Sequence, residues 1–530
     1  MSPRVQSWCR LLDASETVEE GLRLLHKENL SEPSLLPVPP TDMQMLSYVD
    51  TKRSYIVGFG MLSSLPLSVG LWLFAIVAPV YAIFTALITS YLMVTYFGIA
   101  IWGRDLKMED HLNCLDEFGH LRPRVDVYLP CCGESMDVLQ NTYHYVSQLD
   151  WPCDKLNVYI LDDGNRPSSV KALVHQFGFR YIRRPDVGVS KKAGNLRHAF
   201  ANTTGELILV LDADFVPRSD FLKQTVPYFY KYPDVAILQT PQFFQVSSGQ
   251  HWIERAAGSI QELFYRLVQQ NRQRFNASVC VGSCAVYRRK ALEPHGGTAL
   301  VLQSEDVFTG FLITNDGYKV RYLPLNLSMG QCPDTASAYF SQNMRWCGGS
   351  IALTTSRQFW QSNLLPAQKM AYFSGCLYYT ATALSVFSNA LPGIYLVFMR
   401  PALVYWFNIF FAVPSLLFPY LAMRLWNHAP YGFECNRIRY IQYSAHLFAI
   451  KDRVCGTHTA WVPTGATTSS PKRGKFNTAM SFLLHVTVIQ LVVLFCGCVW
   501  RAQEYPFYNF IPSLLLESFN TFVVMQVFHK

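Results

Sequence analysis

Residues 55–102 contain no Lys, Arg, Asp or Glu. A membrane span needs about 20 apolar residues, so this stretch is long enough for two, with a break at Ala78-Pro79. Lys52-Arg53 before it and Arg104 and Lys107 after it put both flanks on the cytosolic side by the positive-inside rule. Four later segments, 371–391, 402–422, 479–499 and 507–528, are each apolar enough to span, and the last carries Glu517. The expectation is an integral plasma-membrane protein with about six α-helical spans and both termini in the cytosol. The bilayer is then an obligate partner. Composition agrees: 50% of residues are hydrophobic and 15% charged, against about 25% charged in a soluble chain.

The regions between the spans have different characters. Residues 1–54 are rich in acidic residues and prolines and lack an early apolar core, so they read as a cytosolic N-terminal segment and not as a cleaved signal. Residues 103–369 regain charge and alternate short apolar runs with helical patterns. The runs at 125–129, 156–161 and 207–211 read as buried parallel strands. This predicts a cytosolic α/β domain with a mostly parallel sheet, ending in helices at the membrane surface around Phe359 and Trp360. Spans 3 and 4 occupy 370–425, and spans 5 and 6 occupy 478–530. Between them, 426–477 is a basic loop assigned to the cytosol.

The net charge of +8 is spread along the chain and flanks apolar runs, so nucleic acid is not an expected partner. The 14 cysteines show no C-x-x-C pair and no His-rich partner, so a zinc site is not expected.

Four motifs in the α/β region carry chemistry. Asp162-Asp163-Gly164 follows a strand, at the sheet edge where open parallel sheets bind ligands, although Asp-Gly is also a common turn pair. Asp212-Ala213-Asp214 ends the next strand and offers hard oxygen ligands that suit Mg²⁺ or Mn²⁺ on a diphosphate. Ser304-Glu305-Asp306 supplies a carboxylate able to take a proton from a hydroxyl; read alone, it is also a good helix start. Gln342-Asn343-Met344-Arg345-Trp346 offers a phosphate clamp and an aromatic face for a sugar ring.

Taken together, in this order and between paired spans, these motifs resemble those of the processive family 2 glycosyltransferases, and among them the cellulose synthases and cellulose-synthase-like enzymes. That family's pattern is D-D-G, D-x-D, T-E-D and Q-x-x-R-W. Lys192-Ala193-Gly194-Asn195, Gln239-Thr240-Pro241 and Gly282-Ser283 are similar as well, and the likeness covers roughly 50–530. It implies a GT-A-type fold and a UDP-sugar donor, with UDP-glucose favoured. It also implies a growing polysaccharide as acceptor, and Mg²⁺ or Mn²⁺ as cofactor. Residue by residue, it implies that Asp162, Asp163 and Lys192 meet the nucleotide, that Asp212 and Asp214 hold diphosphate and metal, and that Asp306 is the base beside Glu305. Gln342 and Arg345 would meet the diphosphate, and Trp346 would floor the acceptor site. Trp461 and Thr464, in Trp461-Val-Pro-Thr-Gly465, are similar to the family's gating loop.

Two departures stand out: Val279-Cys280-Val281-Gly282 replaces the family's Phe-Phe-Cys-Gly, and Ser304 replaces Thr. Neither the cyclic-di-GMP-binding domain of bacterial cellulose synthases nor the cysteine-rich zinc module of plant ones is expected from this sequence, and the expectation is a fungal or other eukaryotic cellulose-synthase-like enzyme. Transfer of one sugar to a lipid carrier, or synthesis of a hyaluronan-like or chitin-like polymer from UDP-N-acetyl sugars, are the alternative activities.

Overall fold

The computed structural model describes residues 36–457 and 471–528. Trp461 and Thr464 lie outside the described residues.

The apolar runs become strands because both of their faces are buried. Strand β1 (Val125–Cys131) and β2 (Leu156–Asp162) pair in parallel from Val125↔Leu156 to Cys131↔Asp162. Short β3 (Arg180–Ile182) adds in parallel to β2, and β4 (Leu207–Val210) adds in parallel to β1. The register brings Cys131, Asp162 and the Leu211-Asp212 step to one edge, since strands that run together end together.

The other side of the sheet holds β6 (Val235–Gln239), β8 (Ala285–Arg288) and β9 (Lys319–Tyr322). Strand β8 is antiparallel to both β4 and β6, and β9 is parallel to β6. The order is β3-β2-β1-β4-β8-β6-β9, a mostly parallel sheet with one reversed strand. A second sheet, in the order β5-β10-β7, joins β5 (Val216–Pro217), β10 (Ser328–Gly330) and β7 (Phe243–Phe244). It clamps the chain that leaves Asp214.

Among the described residues, three helices are long and apolar enough to cross a membrane: Arg53–Val77, Pro79–Trp102 and Gly474–Arg501. The pair Pro366–Ser388 and Leu391–Met399, bent by 42°, makes a fourth if it is one span. About six spans were expected, and two of those segments do not form one long helix. Residues 402–422 fold as a series of short helices, Pro401–Leu403, Trp406–Phe411, Val413–Leu417 and Phe418–Ala422. Pro401, Pro414 and Pro419 each lack a backbone N–H and cannot continue a regular helix. The last segment is the 17-residue helix Ile511–Val527, shorter than a full span.

The basic segment is also not a loop where it is described. Glu434–Val454 is a helix of 21 residues carrying Arg437, Arg439, Lys451 and Arg453. It packs against the helix Ala336–Thr354.

The helix Trp252–Leu263 runs through one π-helical turn into Gln269–Gln273 and joins the two halves of the molecule. On it, Glu262 and Arg266 form a fully buried pair at 2.8 Å. Arg266 donates to the carbonyls of Asp50 and Trp426, and Glu262 accepts from the amides of His428 and Ala429. Each charge is therefore met on every side, which is the condition for burying it at tolerable cost.

Candidate active site

The carboxyl edge of the sheet opens into a cleft of about 570 Å³. Asp163, Lys192, Asp212, Asp214, Glu305, Asp306, Gln342, Arg345 and Trp346 all line it. Nine residues expected from five separate motifs thus share one concavity. Asp162 is the exception and does not line the cleft.

The difference between Asp162 and Asp163 follows from the pleat. Successive side chains point to opposite faces, and Asp162, the last residue of β2, turns inward. It is fully buried. Its carboxylate accepts from the Gly164 amide at 2.7 Å and the Tyr181 hydroxyl at 2.6 Å, and pairs with Arg183 at 3.1 Å. These bonds use Asp162 to close the turn, and of the two aspartates only Asp163 lines the cleft. The carboxylate of Asp163 faces Arg184, whose Nε donates at 2.8 Å.

Asp212 leaves β4 with its amide donating to Ser283 Oγ at 2.8 Å. Lys192 reaches it from the helix Lys191–Ala201, with Nζ 2.5 Å from Asp212 Oδ1 and 2.8 Å from the Gly282 carbonyl oxygen. Burial alone would lower the Lys192 pKa, but Asp212, Glu305 and Asp306 together hold it above its ordinary value. Its charge is therefore fixed. Burial, with the charges of Asp212 and Glu134, pushes Asp214 up to about 7. Asp306 rises to about 7 as well, through burial and then Glu305. Carboxyls with pKa values near neutrality in a cleft mark a site where protons can be exchanged.

Asp306 sits in the first turn of the helix Glu305–Asn315. Ser304 occupies the cap position but makes no side-chain cap bond and adopts a left-handed backbone at φ 53°. A simple helix start does not require that strain. Instead the segment is pressed against another helix. A methyl group on Gly349 would lie 2.0 Å from Ser304 Oγ, and one on Gly348 would lie 2.6 Å from Gln303 Oε1. Gly348-Gly349 thus lets the segment that carries Asp306 approach Ala336–Thr354.

That helix presents Gln342, Arg345 and Trp346 to the cleft, because positions i, i+3 and i+4 share a face. The opposite face meets Glu434–Val454: Gln442 Nε2 donates to Asn343 Oδ1 at 3.1 Å, and Cys347 Sγ approaches the His446 carbonyl at 3.8 Å.

Eight carboxylates line the cleft, with Lys191, Lys192 and Arg345 as its cations. Such a cleft repels a diphosphate unless a further cation enters. Among the described residues no group of three His, Cys, Asp or Glu side chains is placed to hold a metal. Asp212 and Asp214, just past the end of β4, are the pair of carboxylates on the sheet edge that could share one ion. That fits Mg²⁺ or Mn²⁺, which take one or two carboxylates and complete their shell with phosphate and water.

Sequence reasoning missed Glu134 and Arg184. Burial raises the Glu134 pKa, and its Oε2 accepts from the Cys132 amide at 2.6 Å. Glu134 lies just past β1, a position that the strand-end rule could have flagged.

A cleft at the carboxyl edge of a mostly parallel sheet, with acidic side chains from successive strand ends, defines a GT-A-type glycosyltransferase domain. Residues 126–296 match the family model described as glycosyl transferase family 2, so the chain carries a domain of that family. The chain is 35% identical to a cellulose synthase catalytic subunit (UDP-forming) of Pseudomonas fluorescens over 261 residues, 48% of this chain and 35% of the relative. It is 31% identical to the cellulose synthase 1 catalytic subunit of Komagataeibacter xylinus over 363 residues, 67% of this chain and 46% of the relative. The chain thus spans less than half the length of these relatives. A mannosyltransferase of Pyrobaculum calidifontis, solved with GDP-Man and Mn²⁺, aligns over 66% of this chain and 97% of its own at 17% identity and a TM-score of 0.48.

Proposed function

We propose that this chain is a processive, inverting glycosyltransferase that extends a β-linked glucan from UDP-glucose at the cytosolic face of the plasma membrane and passes the product between its own helices. The observation that carries the reading is the joining of two groups in one cleft: Asp212, Asp214 and Lys192 on the sheet edge, and Gln342, Arg345 and Trp346 on a helix packed against the membrane half.

In this reading Asp163 and Lys192 meet the nucleotide, and Gln342 and Arg345 meet the diphosphate. Asp212 and Asp214 would hold Mg²⁺ or Mn²⁺, which when bound offsets the charge of the diphosphate. The sugar at the end of the growing chain stacks on Trp346, next to Glu305. Asp306 takes the proton from its hydroxyl, and that oxygen attacks the anomeric carbon as the bond to the diphosphate breaks. UDP leaves with the bonding electrons, its charge met by Arg345. A single displacement turns an α-linked donor into a β-linked product.

Further contacts support crossings beyond the long helices. Phe411 lies against Gly70, Ser415 Oγ donates to the Ser63 carbonyl at 2.7 Å, and Trp426 Nε1 donates to the Thr51 carbonyl at 2.7 Å. Residues 411–426 therefore run antiparallel to the helix Arg53–Val77, as a proline-broken span would. Adding Ile511–Val527 gives the six crossings that leave both termini cytosolic.

The test is to incubate the purified protein with single UDP-sugars, follow UDP release, and digest the product with linkage-specific hydrolases. UDP-glucose should give a polymer cleaved only by a β-glucan hydrolase. Release of UDP with monosaccharide alone, or an elongated product from a UDP-N-acetyl sugar only, would overturn the assignment.

A further inference from the structure

The donor side of the cleft depends on a residue that does not itself line it. Arg184, at the start of the segment between β3 and the helix Lys191–Ala201, is buried. Its guanidinium holds two different things. It grips the Asp163 carboxylate, with Nε donating to Oδ1 at 2.8 Å and Nη2 directed at Oδ2. It also donates to two backbone carbonyls, Val189 O at 2.6 Å and Lys191 O at 3.1 Å.

Those carbonyls bracket a strained turn. Ser190 and Lys191 both adopt left-handed backbone, at φ 52° and 50°. Consecutive non-glycine residues in that region persist only where the surroundings over-determine them. The turn sets the direction in which the helix Lys191–Ala201 starts. One residue later, Lys192 reaches Asp212 and the Gly282 carbonyl.

The guanidinium also needs room, and Gly194 provides it. A methyl group there would lie 2.2 Å from Arg184 Nη1 and 2.5 Å from Val189 O. The glycine of Lys192-Ala193-Gly194-Asn195 is thereby explained as the seat of an arginine, while Asn195 Nδ2 ties the helix to the Leu161 carbonyl at 2.8 Å.

We propose that Arg184 is the positioning residue of the donor site, fixing the Asp163 carboxylate and the strained turn that aims Lys192 in one planar fork. The inference rests on the donor reading given above. Lysine is no substitute, since a single ammonium cannot span a carboxylate and two carbonyls at once. The role is distinct from catalysis: Arg184 sets where the nucleotide binds, and the base Asp306 is held by other elements.

The experiment uses the full chain in detergent or nanodiscs and measures UDP affinity, the KM for UDP-glucose, kcat and thermal melting. Wild type should bind UDP. Arg184→Met and Arg184→Lys should raise the UDP Kd and the donor KM by roughly tenfold or more, the scale of a lost supporting contact. At saturating donor, kcat should change far less. Gly194→Ala, which displaces the guanidinium without removing it, should give the same split. In the double variant Arg184→Met with Asp163→Asn, the donor effects should be less than additive, because the two residues act as one unit.

Arg184→Met with wild-type UDP affinity and KM would overturn the inference, as would a loss of active protein with KM unchanged. If Arg184→Met does not fold, Arg184→Lys and Gly194→Ala decide the question by the same measurements. Wild-type protein that binds no UDP would overturn the donor reading itself, a result separate from any difference between variants.

Discussion

Replacing Gly282 with alanine would add one methyl group to a residue that touches both Asp306 and Lys192. Gly282 has a left-handed backbone at φ 76°, and its carbonyl oxygen accepts from Lys192 at 2.8 Å. The new Cβ would stand 2.9 Å from Asp306 Cβ and 3.1 Å from Asp306 Oδ2. Two costs follow. Holding alanine at that φ is unfavourable by about 1 kcal/mol, and the overpacking adds about 1–3 kcal/mol unless something moves. The flexible partner is Asp306, so part of the strain should be relieved by displacing it. A shift of about 1 Å in a reacting group costs on the order of 10² in rate. Gly282→Ala should therefore lower UDP release in the presence of acceptor by roughly that factor, with a smaller change in UDP affinity. Gly317→Ala is the matched control. Its φ is 92°, yet nothing lies within 4 Å of the added methyl, so it should lose about 1 kcal/mol of stability and no activity. A Gly282→Ala enzyme that polymerises near the wild-type rate would refute the reasoning that Asp306 sits at the reacting position and is displaced by the methyl group placed against it.

Three further outcomes are expected. With Asp306 raised to about 7 by burial and by Glu305, protonation removes the base, so kcat/KM should fall as pH drops through about 7. A wild-type profile flat down to pH 5 would exclude Asp306 as the base, and Asp306→Asn should bind UDP while losing a factor on the order of 10² in rate. Asp214→Ala, or chelator added to wild type, should abolish UDP binding because the diphosphate loses its cation; full activity in excess chelator would refute the metal assignment. Trp346→Ala should keep UDP release while losing about 1 kcal/mol of acceptor binding, read on a gel as short products in place of long polymer.

The sheet and most of the cleft were legible because local rules sufficed. Val125–Cys131, Leu156–Asp162 and Leu207–Val210 are buried on both faces, and unbroken apolar runs signal that directly. Gln342, Arg345 and Trp346 share a face by helical arithmetic alone. What escaped depended on distant partners. Strand β8 slots between β4 and β6 from far along the chain, and no local pattern gives that register. Asp162 and Asp163 look alike in sequence, and only the pleat and the arrival of Tyr181 and Arg183 separate them. Arg184 meets an aspartate 21 residues earlier, so nothing beside it announces its role. The six-span expectation weighed apolarity in 402–422 and underweighted Pro414 and Pro419, which cut the segment into pieces.

The helix Ala336–Thr354 also bears on how the enzyme can be handled in the laboratory. Its cleft face belongs to the sugar chemistry, but Tyr339, Phe340, Met344, Cys347 and Ile351 are buried in a cluster shared with Ile438, Ile441, Ala445 and Met480. Excising residues 103–369 as a water-soluble fragment would uncover that back face, at about 1.5–3 kcal/mol for each large side chain returned to water. It would also remove the Asp50 and Trp426 carbonyls from Arg266, and the His428 and Ala429 amides from Glu262, leaving a charged pair with only the bond between its two members. The catalytic half is thus not a detachable module. Soluble fragments designed for crystallography or inhibitor screening should carry residues 426–454 and 41–53 with them, or they will fail for reasons unrelated to the active site.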